Sequence, residues 1–378
     1  MNKFKPIRVL IAILAALALV AAACGGDSEE DAEVDAGTDE ATETAAEDDS
    51  EEEEATETSE DAEEEEEEEG EGEDAMEEGE VFRVAIVAPS ASNDLAFTQS
   101  MVDAVNVLAE GHELEIDITD GTFIPEDATA AIRGYAEDGF DLVIAHGSQY
   151  GAGLEAVAPD FPEVSFAWGT AADTFDLDNV FAYTVRADEG GYVLGTIAAQ
   201  LNESGVIGVV GPIEVGDAKL YVDGFVNGVA AQDAGIEVNV NYIESFSDTA
   251  LAAEAATAHI ANDADVLTGT AQMVVGATGV AAAAETPVLW FGTQSNQSSL
   301  GEEFVVASQV YHWEVILAEI LTSIEGGTLG GEVFIATLEN GGLEIEYNDA
   351  FDLDADIKAS ADETLAGVAD GSISTDVE

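Results

Sequence analysis

The sequence predicts an α/β protein of two Rossmann-like lobes, each built on a parallel sheet, with a ligand cleft between them. Three observations lead there. From Val84 onward, short apolar runs of strand length alternate with Ala-rich runs of helical periodicity, the pattern of parallel strands covered by helices. The alternation passes through two rounds of the same order, which is simplest as two similar lobes. Several strands also end in polar, Gly-rich turns, and open α/β sheets bind ligands at the carboxyl ends of their strands.

The front of the chain reads as address and tether. Lys3, Lys5 and Arg8 precede an apolar run, Val9 to Ala23, too short to span a bilayer comfortably, so residues 1–23 are expected to be a signal peptide. The only cysteine, Cys24, follows Ala21-Ala22-Ala23 at the expected cut. Its place resembles that of the lipid-attachment cysteine of bacterial lipoproteins, although the usual Leu three residues earlier is Ala21. Residues 25–80 hold 32 acidic residues and no basic one, so residues 24–80 are expected to be a lipidated Cys and a disordered acidic tether. Beyond them only Arg83, Arg133, Arg186, Lys219 and Lys358 are basic, and nucleic acid would be repelled.

The elements follow in order. A strand at Val84–Ala88 leads through Asn93-Asp94-Leu95-Ala96-Phe97-Thr98-Gln99 into a helix to about Glu110, with Phe97, Met101, Val105 and Leu108 on one face. Strand Leu114–Thr119, helix Glu126–Asp138 and buried strand Asp141–Ala145 follow, the last ending in His146-Gly147-Ser148-Gln149. Helix Gly153–Ala158 and strands at 164–168 and 180–185 complete the round. The second round runs helix Asp188–Leu201, strand Val206–Val210, helix Ala218–Ala234, strand Glu237–Ile243, helix Leu251–Asn262 and strand Asp265–Thr268. That strand ends in Gly269-Thr270-Ala271-Gln272, before helix Val274–Glu285 and strand Val288–Gly292. A strand at 304–308, a helix from about 310 to 324 and late strands near 333–338 and 343–347 complete the lobes. The expected division is 82–185 with about 293–308 in the first lobe, 186–292 with about 309–350 in the second, and 351–378 as an acidic C-terminal segment.

These residues resemble the basic membrane protein family of bacterial substrate-binding lipoproteins, PnrA-like, which serve ABC importers and have the periplasmic-binding-protein type I fold. The likeness rests on the Asn93–Gln99 turn, Arg186-Ala187-Asp188-Glu189-Gly190-Gly191, Gly205–Gly211 with Asp223–Gly228, Ser245-Phe246-Ser247-Asp248 and Asn340-Gly341-Gly342-Leu343. It implies a lipid-anchored protein on the outer face of the membrane that closes about a small heteroaromatic, nucleoside-like solute and hands it to an ABC permease. Delivery to a signalling receptor is the alternative. The resemblance also implies that Asp94 hydrogen-bonds the ligand and Phe97 stacks on its ring. Where nucleoside-binding members have Val-Asp-x-Asp-Gln and a following Lys, this chain has Gly292-Thr293-Gln294-Ser295-Asn296-Gln297 and Tyr311-His312-Trp313.

The candidate ligand-binding residues are therefore Asn93, Asp94, Phe97, Gln99, His146, Ser148, Gln149, Thr270, Gln294, His312 and Trp313. No nucleophile elbow, P-loop or dinucleotide fingerprint is present, and the four histidines form no metal-ligand spacing. A monomeric binding protein without catalytic residues, cofactor or metal is expected. The acidic surface resembles that of proteins from salt-loving organisms, whose repulsion dissolved ions screen. Thermal melts should accordingly give a higher Tm in molar NaCl than at low salt; an unchanged or lower Tm would contradict that reading.

Overall fold

The computed structural model describes residues 81–377. The expected signal peptide (1–23), Cys24 and the tether (24–80) lie outside the described residues. The first round contains β1 (Phe82–Val87), α1 (Phe97–Gly111), β2 (Leu114–Thr119), α2 (Pro125–Glu137), β3 (Leu142–Ala145), α3 (Gly151–Val157), β4 (Ser165–Gly169) and β5 (Val180–Val185). The second contains α4 (Ala187–Leu201), β6 (Val206–Gly211), α5 (Gly216–Gln232), β7 (Glu237–Tyr242), α6 (Thr249–Ala261), β8 (Val266–Gly269), α7 (Val274–Ala282) and β9 (Leu289–Gln294). Then come β10 (Val305–Tyr311), α8 (Trp313–Glu325), β11 (Val333–Ala336), β12 (Leu343–Tyr347) and α9 (Ala355–Ala369). Central strands such as β3 and β8 are wholly buried, because helices cover both faces of a parallel sheet.

Two six-stranded sheets result, in the orders β11-β5-β4-β3-β1-β2 and β12-β10-β9-β8-β6-β7. Every pairing is parallel except β10 with β12. In both sheets the strand order reverses beside the first strand of the round, β1 or β6, which puts a switch-point crevice at its carboxyl end.

The lobe assignment differs from the expected one after Gly292. The segment 293–308, expected in the first lobe, enters the second sheet, because β10 pairs in parallel with β9. Of the segment 309–350, expected in the second lobe, α8 packs on α1 and β11 extends the first sheet beside β5. The residues 351–378 include α9, which rests on α4 with Ala361 and Val368 buried. The chain thus crosses between lobes at Arg186, at His312 and at 337–342. Backbone bonds tie the crossings together: Arg186 N–H donates to the Ala336 carbonyl (2.9 Å) and His312 N–H to that of Gly342 (2.9 Å).

Helices α4 and α5 touch backbone to backbone, and that explains Gly191 and Gly195 in α4 and Gly224 and Gly228 in α5. A Cβ on Gly195 would lie 2.2 Å from the Phe225 carbonyl oxygen, and one on Gly228 2.1 Å from that of Tyr192. Gly228→Ala is expected to destabilise the protein by about 1–3 kcal/mol through overpacking. Gly279→Ala in α7, where a Cβ meets nothing within 4 Å, should instead be neutral or stabilise by up to about 1 kcal/mol. Urea unfolding in molar salt checks the pair; equal effects would contradict this packing.

Candidate functional site

The carboxyl ends of the two sheets line one cavity of about 180 Å³. That is below the roughly 300–1,000 Å³ of sites for drug-sized ligands, so it suits a small solute. The first lobe contributes Pro89 after β1, Phe97 at the start of α1, Phe123 after β2, Gly147-Ser148-Gln149 after β3 and Thr170 after β4. From the second come Val215 to Ala218 after β6, Phe246 after β7, Ala271-Gln272 after β8 and Gln294 at the end of β9. Thr170, Ala271 and Gln294 are left-handed, with φ of +53°, +70° and +74°. Such strained non-glycine residues gather at functional sites, where surrounding structure holds them. No basic residue lines the cavity.

Phe97, only 9% exposed, is held from behind. Its ring stacks on the fully buried His146 at 4.0 Å and 11°. The His146 Nε2 lies 3.1 Å from the Phe97 carbonyl oxygen, which can only accept, so Nε2 carries the proton. Nδ1 then accepts from the Tyr183 hydroxyl at 2.7 Å. Burial lowers the pKa of His146 to about 3, against which the bond to Phe97 is the lesser effect. The ring is therefore neutral, and it supports the cavity wall without reaching the cavity. Trp313, expected at the ligand, is fully buried, sits edge-on to His146 and donates from Nε1 to Ser100 Oγ at 3.0 Å.

The Asn93–Gln99 turn is built by its own polar groups. Asp94 accepts from the backbone N–H of Ala96, Thr98 and Gln99 and from the Ser90 hydroxyl. Gln99 Oε1 accepts from Leu95 N–H, and Asn93 is exposed outside the cavity lining. Asp94 and Gln99, expected to meet the ligand, instead satisfy the donors at the start of α1 and so aim Phe97. From the second lobe, Ser295 Oγ donates to the Ala96 carbonyl (2.8 Å) and Gln297 Nε2 to that of Leu95 (3.1 Å).

Of the other expected residues, Ser148, Gln149 and Gln294 line the cavity. Thr270 is buried just before Ala271, and its Oγ1 and Gln294 Oε1 have no protein partner. His312 lies outside the cavity among Glu314, Glu344 and Glu346, and its bond to Glu314 is the main reason its pKa is raised.

Sequence reasoning passed over Asp217 and Phe123, and left Phe246 as a motif residue without a role. The repetition itself offered the signal for Asp217: the turn after β6 is the counterpart of the turn after β1. Burial pushes the Asp217 carboxyl up to about 6, while bonds from its own N–H, Ala218 N–H, Tyr311 and Gln294 pull the other way.

A family model described as "Bmp: ABC transporter substrate-binding protein PnrA-like" matches residues 81–374. The chain is 24% identical over 296 residues to a purine-binding protein of Brucella abortus, covering 78% of this chain and 83% of that one. It is 24% identical over 304 residues to an ABC transporter nucleoside-binding protein of Lactococcus lactis, with 74% and 85% covered. A solved solute-binding protein of an ABC transporter system from Conexibacter woesei matches at a TM-score of 0.64 and 25% identity, over 78% of this chain and 98% of that one.

The Asp217 proton gives a test independent of any ligand. The folded protein holds it more tightly than the unfolded chain, so the ionised carboxylate opposes folding above pH about 6 and this penalty fades as the pH falls towards about 4. Asp217→Asn should raise stability by about 1–2 kcal/mol at pH about 7.5, water in the cleft screening part of the full effect. Near pH 4 it should raise stability by nothing. Urea titrations at both pH values check this; an equal gain at both would contradict it.

Proposed function

We propose a function from the premise that the chain belongs to the PnrA-like family of ABC transporter substrate-binding proteins. Members of that family are extracytoplasmic, take a small-molecule ligand, serve a membrane permease and are not enzymes. For this chain we infer a small, uncharged, nucleoside-like heteroaromatic ligand, gripped as the two lobes close about a hinge. Cys24 carries the lipid that anchors the protein outside the cell membrane, and the protein acts as a monomer. Import is favoured over delivery to a signalling receptor, because the matched family is one of ABC transporters.

One observation carries the ligand class: Phe97 and Phe123 from the first lobe and Phe246 from the second line the same small cavity. Aromatic side chains stack on bases of any kind, each contact contributing about 1–3 kcal/mol. The polar complement is Ser148 and Gln149 on one side and Asp217, Gln272 and Gln294 on the other. Asp217 supplies the carboxylate that the chain lacks at Gln294, and as an acceptor it suits paired sugar hydroxyls. With a carboxylate and no basic side chain in the lining, a phosphate or a carboxylate on the ligand would be repelled.

Thermal-shift titration of the full chain in molar salt tests the reading. Purine nucleosides should raise Tm, by an amount equivalent to about 2.7 kcal/mol at a hundred times Kd, and nucleotides should not. Phe97→Ala should weaken nucleoside binding tenfold or more, in line with about 1–3 kcal/mol of stacking. Asp217→Ala should weaken nucleosides more than free bases. Shifts by sugars alone, or undiminished affinity in Phe97→Ala, would overturn the heteroaromatic assignment.

A further inference from the structure

The second crossover carries a cluster that the ligand cleft does not use. His312 ends the passage from β10 to α8, and β12 runs antiparallel beside β10 with Val310 opposite Glu344 and Ser308 opposite Glu346. Alternation along paired strands puts Ser308, Val310 and His312 on one face with Glu344 and Glu346. The register alone therefore brings one imidazole to two carboxylates. His312 Nε2 lies 3.3 Å from Glu344 Oε2 and 3.8 Å from Glu346 Oε1.

The other ring nitrogen is fixed. Nδ1 is 2.8 Å from Glu314 Oε1, an atom that can only accept, so Nδ1 carries the proton of the neutral ring. In that neutral form the Nε2 lone pair faces two anions, on an atom shielded from solvent and without a hydrogen-bond partner. Asn296 Nδ2 donates to Glu346 Oε2 and so orients that carboxylate with its other oxygen towards His312. In a chain with 82 acidic and 8 basic residues, repulsion favours spreading carboxylates apart, yet three converge here on one imidazole.

We propose that His312 Nε2, Glu344 and Glu346 form a site for a divalent transition metal of the zinc class, with Glu314 positioning the imidazole. An imidazole with two carboxylates suits zinc and its neighbours better than magnesium or calcium, which take oxygen ligands alone. Ligand atoms about 2.0–2.2 Å from a tetrahedral zinc lie roughly 3.3–3.5 Å from one another, close to the 3.3 and 3.8 Å separations present before any ion draws them in. A carboxylate on the far ring nitrogen is the usual means of orienting a ligating histidine. The three ligand atoms lie within 4.8 Å of one another, and water completes the coordination. A metal there joins the edge strand of the second lobe to the residue from which the chain enters the first.

The test titrates Co²⁺ into the full chain in molar NaCl with millimolar Mg²⁺, which occupies the diffuse acidic surface. The expected result is one saturable Co²⁺ per chain with visible d–d absorption, displaced by Zn²⁺. His312→Ala and the double variant Glu344→Gln/Glu346→Gln should each weaken it more than tenfold. Glu314→Gln should weaken it by about 10–100-fold, and His112→Ala, an exposed histidine elsewhere, should leave it unchanged. Circular dichroism confirms folding, and if His312→Ala does not fold the double glutamine variant decides. Absence of a saturable site means that the cluster holds only a proton and overturns the proposal, as does wild-type affinity in the double variant.

Discussion

The neutral imidazole of His146 is the interaction on which the cleft depends. It brings together β3, which it directly follows, α1 through Phe97, β5 through Tyr183 and α8 through Trp313. Both ring nitrogens are occupied within the fold, and burial keeps the ring uncharged. A charged ring there would meet a large desolvation penalty, and a smaller residue would take from the buried Tyr183 hydroxyl its His146 partner. Because Trp313 opens α8 directly after the crossing at His312, this packing also fixes where the chain re-enters the first lobe.

From that support the cleft follows by topology. Two sheets of matching strand order place their switch points face to face, and residues just past β1, β3, β6 and β8 become the walls. Hydrogen bonds from Ser295 and Gln297 to the Leu95–Ala96 backbone make the Phe97 turn answer to both lobes. The crossings are bound to one another at Arg186–Ala336 and His312–Gly342, so lobe motion is confined to a few linked segments.

Much of the fold was legible because its signals are local. Apolar runs and helical periodicity located the elements of both rounds, and the polar strand ends marked Ser148, Gln149 and Gln294. What escaped was decided at a distance. Nothing within 304–308 says that this strand pairs with β9, and nothing in the spacing of His312, Glu344 and Glu346 reveals an antiparallel edge that unites them. Asp94 was ambiguous for a different reason: a carboxylate ahead of a helix can cap or bind, and here three backbone donors use it. Helix α9 was passed over because 351–378 was read as an acidic segment, although apolar residues, Ala361 and Val368 among them, seat the helix on α4.

The central claim is that the solute lies flat between aromatic walls from opposite lobes with its polar end at Asp217. A crystal structure of the protein grown with a purine nucleoside in molar salt tests this most directly. The base is expected against Phe97 and Phe246, with the sugar hydroxyls within hydrogen-bond distance of the Asp217 carboxylate. A nucleoside bound elsewhere, or seated in the cleft with its base touching neither phenylalanine, would contradict it.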